Sequence, residues 1–178
     1  MERKIKPRRC KICNEIFTPN RPLVPVCSPK CAIDYSNKLK QNKAKQEKKV
    51  LKEKLKTHKD YLNDLQKVFN NYIRERDKGK PCVSCGTDLK NKPVNASHFF
   101  SVGAYPNLRF NEDNVHSSCV VCNQHKHGNI NEYSIRLPER IGKDKFDELL
   151  KKRSVVTKLS IPEIEDLKSL YKEKIKSL

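Results

Sequence analysis

Tyr61, Leu62, Leu65, Val68, Phe69, Tyr72 and Ile73 recur at helical spacing between charged and polar neighbours. This predicts an amphipathic helix over residues 60–77 that packs on a core. Asp60 is placed to cap its start, and Gly79 followed by Pro81 stops it. Ile141, Phe146, Leu149 and Leu150 predict a short helix further on. Ser160-Ile161-Pro162-Glu163 then reads as a capping box opening a last helix, whose face carries Ile164, Leu167, Leu170, Tyr171, Ile175 and Leu178. Two stretches lack such a pattern. Residues 1–31 are punctuated by Pro7, Pro19, Pro22, Pro25 and Pro29, which leaves little room for helix and suggests turns held by something else. From Lys38 to Lys59, ten lysines stand against two glutamates, a net +8, and the sparse apolar residues form no stripe. That segment reads as an exposed basic helix or a partly disordered linker.

Composition sharpens this picture. The 178 residues include 39 Lys+Arg against 21 Asp+Glu, a formal charge of +18, with 35% hydrophobic residues and no Trp. So few apolar side chains cannot fill one large core, and the charge favours a polyanionic partner: DNA, RNA or an anionic membrane surface. No run approaches the ~18 apolar residues of a membrane span. The basic amino terminus leads into Cys10 instead of an apolar signal core, so the chain reads as soluble and intracellular. In a reducing compartment its eight cysteines are metal ligands before they are disulfides.

They fall into two sets. Cys10 and Cys13 precede Cys27 and Cys31; Cys82 and Cys85 precede Cys119 and Cys122, with Gly86 after the third knuckle. Each set predicts a closed four-thiolate zinc site, structural and without the open position that catalysis needs. The organisation expected is α+β, built from small zinc-stabilised modules: an amino-terminal four-cysteine module (1–31), a Lys-rich helical region (32–77), a second four-cysteine module (78–142) and carboxy-terminal helices (143–178).

Four of the five histidines lie between His98 and His127, together with Asn114 and Asn123. A hairpin followed by a helix, pinned at both ends by one zinc, would bring His98 opposite the helix that starts near Cys119. A neutral imidazole there could take a proton from water, and facing oxygens and imidazoles could hold a divalent ion. Phe99, Phe100 and Phe110 read as the small core of this finger, His116 as structural, and His58 receives no role.

This stretch resembles the His-Asn-His (HNH, ββα-metal) nuclease superfamily. The whole chain is more closely similar to the NinG (Rap) family of lambdoid-phage recombination proteins. The shared features are Cys10-Lys11-Ile12-Cys13, Cys27-Ser28-Pro29-Lys30-Cys31, the Lys-rich middle and Ile73-Arg74-Glu75-Arg76-Asp77. They continue with Pro81-Cys82-Val83-Ser84-Cys85-Gly86-Thr87, Leu108-Arg109-Phe110-Asn111-Glu112 and Cys119-Val120-Val121-Cys122-Asn123-Gln124-His125-Lys126. The resemblance implies an HNH-like finger and an endonuclease that hydrolyses branched recombination intermediates, Holliday junctions and D-loops, with Mg²⁺ or Mn²⁺ in the host bacterial cytoplasm.

Carried over residue by residue, His98 becomes the general base and Asn114 the amide that fixes its loop. Asn123 becomes an ion ligand, with His127 or His125 as the second. Ser97 departs from the superfamily pattern, which has Asp or His immediately before the base as an ion ligand. It keeps open a different reading, a non-catalytic zinc protein that binds nucleic acid and recruits recombination partners. Lys126 and Arg109 flank the proposed site as phosphate contacts. Lys45, Lys48, Lys49 and Lys52 supply backbone contacts that read no sequence. A symmetric cut across a two-fold junction would favour a homodimer.

Overall fold

The computed structural model describes residues 5–154 and 158–178. It is a mixed α/β structure, 55% helical, with two small sheets. The chain divides into two compact units, the first ending at Lys56 and the second running from Thr57.

In the first unit, β1 (Arg8–Arg9) pairs antiparallel with β2 (Ile16–Phe17). Beyond it, α1 (Pro29–Lys54) is a continuous helix of 26 residues. The proline-rich stretch therefore ends in helix. Pro29 sits in the first turn, where a missing N–H is harmless, and the Ser28 hydroxyl caps the start by accepting from the Cys31 N–H. Of the two readings of the lysine run, the structure takes the exposed helix. Only Cys31 is buried along α1, and Ile33, Leu39, Val50 and Leu51 face solvent.

The second unit opens with α2 (His58–Arg76). Its N-cap is Thr57, not Asp60. Asp60 is the return half of a capping box, accepting from the Thr57 N–H at 2.9 Å and the Thr57 hydroxyl at 2.7 Å. The strands β3 (Val94–His98) and β4 (Val115–Cys119) follow, antiparallel, with Ser97 opposite His116 and His98 opposite Val115. A short π-helical turn, Val121–His125, leads to α3 (Ile130–Ile141), α4 (Lys143–Lys151) and α5 (Ile161–Lys176). The capping box at Ser160 and Glu163 is present as the sequence predicts.

Two apolar clusters flank β4. Leu65, Phe69, Tyr72 and Ile73 of α2 pack with Val115 and with Ile164 and Tyr171 of α5; Phe110 joins this cluster. On the other side Val83, Leu108, Tyr133, Leu137 and Leu149 form a second cluster, joined by Phe99, Phe100 and Phe146. The three phenylalanines assigned to the finger core are thus core residues, split between two cores. Tyr133 and Leu137 belong to α3, which the sequence pattern does not reveal.

The outer edge of β4 is closed by side chain and loop. The Ser117 N–H donates to Asp77 Oδ2 at 2.9 Å, and the Val83 N–H donates to the Ser117 carbonyl at 3.1 Å. Asp77 is buried and receives a two-point guanidinium contact from Arg76, with both N···O distances 3.0 Å. Burial alone would raise its carboxyl pKa. The hydrogen bonds and charge of Arg76, with the Ser117 N–H, outweigh that and hold it below the ordinary carboxylate range. Arg76 also donates to the carbonyls of Glu112 and Val115. Asp77→Ala strands this guanidinium and the strand edge together, so urea unfolding should show a loss of about 3–5 kcal/mol; a loss within error of zero would mean the edge is held elsewhere.

Candidate metal centres and candidate active site

All eight cysteines are unbridged. The ligand atoms of Cys10, Cys13, Cys27 and Cys31 lie within 4.8 Å of one another, and so do those of Cys82, Cys85, Cys119 and Cys122. Zinc–sulfur bonds of ~2.3 Å in a tetrahedron require sulfur–sulfur edges of about 3.8 Å. The observed edges include Cys13–Cys27 at 3.5 Å, Cys27–Cys31 at 3.8 Å and Cys85–Cys119 at 3.9 Å. Each cluster could hold a structural zinc ion. In the second, backbone N–H groups of Cys119 and Cys122 point at Cys82 and Cys119 sulfurs, both at 3.3 Å, as thiolates favour. Gly86 closes its knuckle at φ +72°, and a Cβ there would lie 3.0 Å from the Arg136 guanidinium. The positive φ favours glycine at that position, whereas the guanidinium is the end of a flexible side chain that can move aside.

His98 ends β3, half-buried. Its Nε2 lies 2.9 Å from the Arg109 carbonyl, which can only accept, so Nε2 carries the proton and Nδ1 keeps its lone pair. Burial is the main force drawing its pKa below the ordinary 6.5; the Arg109 carbonyl opposes this and the Arg109 charge adds to it. The ring is therefore neutral at pH 7, in the tautomer that offers Nδ1 as a base.

The fully buried Asn114 amide ties together the ends of the loop behind that histidine. Its Oδ1 accepts from the Phe100 N–H at 2.8 Å, and its Nδ2 donates to the carbonyls of Phe100 at 3.1 Å and Leu108 at 3.0 Å. The Phe99 N–H donates to the Asn114 carbonyl at 2.8 Å. The side chain thus fixes both the start of the loop and the turn that presents the Arg109 carbonyl.

Arg109 is half-buried; its Nε donates to Gln66 Oε1 at 2.7 Å and its guanidinium lies 5.2 Å from the Phe110 ring centre. It makes no ion pair among the described residues. Asn123 is half-buried, while His125, Lys126 and His127 are exposed. The sequence spacing sets His127 one helical turn beyond Asn123. The helical turn instead closes at Lys126, and His127, Gly128 and Asn129 all adopt positive φ. Asn123 and His127 therefore do not share a helix face. Among the described residues the two thiolate sets are the only groups of three or more His, Cys, Asp or Glu close enough to hold an ion.

Ser97 is fully buried, and its hydroxyl has no hydrogen-bond partner among the described residues. It lies on the strand-pair face covered by Tyr133, whose hydroxyl donates to the Ser97 carbonyl at 3.1 Å and accepts from His116 Nδ1 at 3.3 Å. His116 is structural in position: buried, with its pKa pushed down to about 3, chiefly by burial. His58, given no role by sequence, donates from Nε2 to the Leu159 carbonyl at 2.7 Å. In the first unit Lys45, Lys48, Lys49 and Lys52 are all exposed, at the i, i+3, i+4, i+7 spacing of one helix face. No helix is long and apolar enough to cross a membrane among the described residues.

The family model described as "NinG: Bacteriophage Lambda NinG protein" matches residues 2–178. Protein ninG of Escherichia phage lambda is 36% identical over 191 residues, covering 96% of this chain and 93% of that protein. Protein ninG of Salmonella phage P22 is 36% identical over 193 residues with the same coverage, and that of Escherichia phage 933W is 34% identical over 189. No solved structure matches the chain.

Two thiolate clusters should give two zinc ions per purified chain by plasma mass spectrometry, and Cys82→Ser should lower the count to one. A folded wild-type protein with no zinc would overturn the assignment.

Proposed function

The chain belongs to the NinG family of phage proteins, and from that premise we propose that it is a metal-dependent endonuclease selective for branched DNA such as Holliday junctions and D-loops, working through an HNH-like finger. The observation that carries this is the state of His98: neutral, Nε2 donating to a backbone carbonyl, Nδ1 left as acceptor. The strand pair that bears it, the Asn114 clamp and the zinc-type knuckle behind β4 are the supporting frame.

In the proposed reaction His98 Nδ1 takes a proton from water. The water oxygen bonds to phosphorus as the bond to the 3′-oxygen breaks, leaving a 5′-phosphate and, once solvent protonates the leaving oxygen, a 3′-hydroxyl. Arg109, held by Gln66 and the Phe110 ring, neutralises the phosphate, and Lys126 extends that contact. The superfamily resemblance would place a divalent ion on Asn123 with His127 or His125, where it would stabilise charge on the phosphate oxygens. His127 leaves the helix face of Asn123, however, so no step of the proposed reaction is routed through that ion. The lysine face of α1 supplies sequence-independent backbone contacts.

One observation favours a second reading, a non-catalytic zinc protein that binds nucleic acid. Ser97, where the superfamily has an ion ligand, is sealed inside the protein.

The decisive comparison is cleavage of synthetic four-way junctions, D-loops and linear duplex by wild type and His98→Ala with Mn²⁺ or Mg²⁺. The endonuclease reading predicts preferential cutting of branched substrates with either ion, and binding without cutting by His98→Ala. Because burial holds His98 below the ordinary imidazole pKa, the base form is favoured and the acid limb of the rate profile should lie at lower pH than an unperturbed histidine would give. Salt-sensitive binding with no cleavage of any substrate would select the second reading; equal cutting by His98→Ala would remove the mechanism.

A further inference from the structure

A cavity of about 330 Å³ opens beside Arg109, between the start of α2, the loop through residues 102–111, and Leu159 with Leu167 of α5. Its volume is at the lower end of the ~300–1,000 Å³ typical of small-ligand sites. We propose that it receives the base of one unpaired nucleotide of a branched DNA strand, with the adjoining phosphate on Arg109. This rests on the endonuclease reading for its biological sense, and deepens it by naming what distinguishes a branch from a duplex.

Three features point to that occupant. The walls are apolar, with Leu62, Val102, Leu159 and Leu167 and the aromatic ring of Phe110, which suits a flat hydrophobic base. Among the described residues the lining includes Arg109 and Lys158 but no carboxylate, so its fixed charge is positive. Arg109 is the stronger signal: Gln66 and the Phe110 ring hold its half-buried guanidinium in place at the cavity, and among the described residues it has no carboxylate partner, so it is positioned to take an anion. Phosphate supplies that anion with matching geometry.

The polar groups at the rim can read a base edge without fixing its identity. Asn111 Oδ1 is occupied by the backbone N–H groups of Asp113 and Asn114, which leaves its Nδ2 as a donor. Asn107 Nδ2 is occupied by the Lys152 carbonyl, which leaves its Oδ1 as an acceptor. One donor and one acceptor suit any of the four bases.

The cavity also shares a wall with the proposed chemistry. The Arg109 carbonyl that holds His98 belongs to the residue whose side chain lines the cavity. A paired base must first leave its stack, at a cost of a few kcal/mol, whereas an unpaired one at a branch enters with little penalty. Selection of branched DNA then needs no sequence reading.

The test uses the full-length, zinc-loaded protein without added Mg²⁺ or Mn²⁺, so that binding is read without cleavage. The probe is a gapped or forked DNA with 2-aminopurine as the single unpaired base, a fluorophore dark when stacked in DNA and bright when withdrawn from its neighbours. Saturating wild type should brighten this probe and leave a fully paired 2-aminopurine duplex dark. Val102→Trp, which fills the cavity from a loop, should bind the DNA but lose the brightening and about 10-fold of the preference for unpaired over paired probe. Leu167→Trp provides the same block from α5, should the loop variant fail to fold.

No brightening at saturation, no binding of the probe, or equal brightening by a folded plugged variant would each overturn the proposal. These outcomes are read apart from catalysis. Brightening in a protein that cuts nothing would sink the endonuclease reading and leave the nucleotide site standing.

Discussion

The second unit is organised around one five-residue strand that is covered on both faces and both edges. In β4, Val115 faces the α2–α5 cluster and His116 faces Tyr133 of α3. One edge pairs with β3, and the other is closed by the Asp77 carboxylate and the Val83 amide. A strand in a two-stranded sheet normally leaves half its backbone groups to solvent. Here every direction is used. This is how a chain with 35% hydrophobic residues gives its second unit a defined centre: the two larger of its small cores are built against a shared strand in place of one large core.

That strand also relates the metal chemistry to the candidate active site. Its last residue, Cys119, belongs to the second thiolate cluster, and its first, Val115, lies opposite His98 across the strand pair. Immediately before it, Asn114 clamps the loop that presents the Arg109 carbonyl to His98. A change in the register of β4 would therefore disturb the cysteine set at one end and the histidine at the other. The buried Arg76–Asp77 pair contributes to holding that register by linking the end of α2 to the strand's open edge.

Much of this is legible in the order of residues alone. The two cysteine sets, the α2 stripe and the Ser160 capping box carry local signals: fixed spacing, a period of 3.6, a reciprocal Ser–Glu pair. The cap of α2 lies three residues before the one the sequence suggests, because Thr57 and Asp60 form one capping box and sequence alone favours its acidic member. Helix α3 escapes the sequence pattern although Ile130, Tyr133, Leu137 and Ile141 keep helical spacing, because Gly128 and Pro138 are residue types that ordinarily interrupt a helix. Pro138 nevertheless lies within the helix, which Gly142 ends at φ +87°. The geometry around His127 is illegible for a different reason. Gly128 and Asn129 tolerate positive φ, but that three successive residues adopt it, His127 included, depends on how the knuckle and α3 are joined. The roles of Asp77 and His58 and the cavity beside Arg109 are products of tertiary contact and leave no mark in periodicity.

The candidate site depends on the fold holding His98 as a neutral imidazole with its proton on Nε2 and a free lone pair on Nδ1. Nitrogen-15 NMR of the histidine side chains reports this directly. A protonated Nε2 and an unprotonated Nδ1 at neutral pH, titrating below 6.5, are what the Arg109 carbonyl and the burial of the ring predict. A proton resting on Nδ1, or a ring already cationic at pH 7, would contradict it.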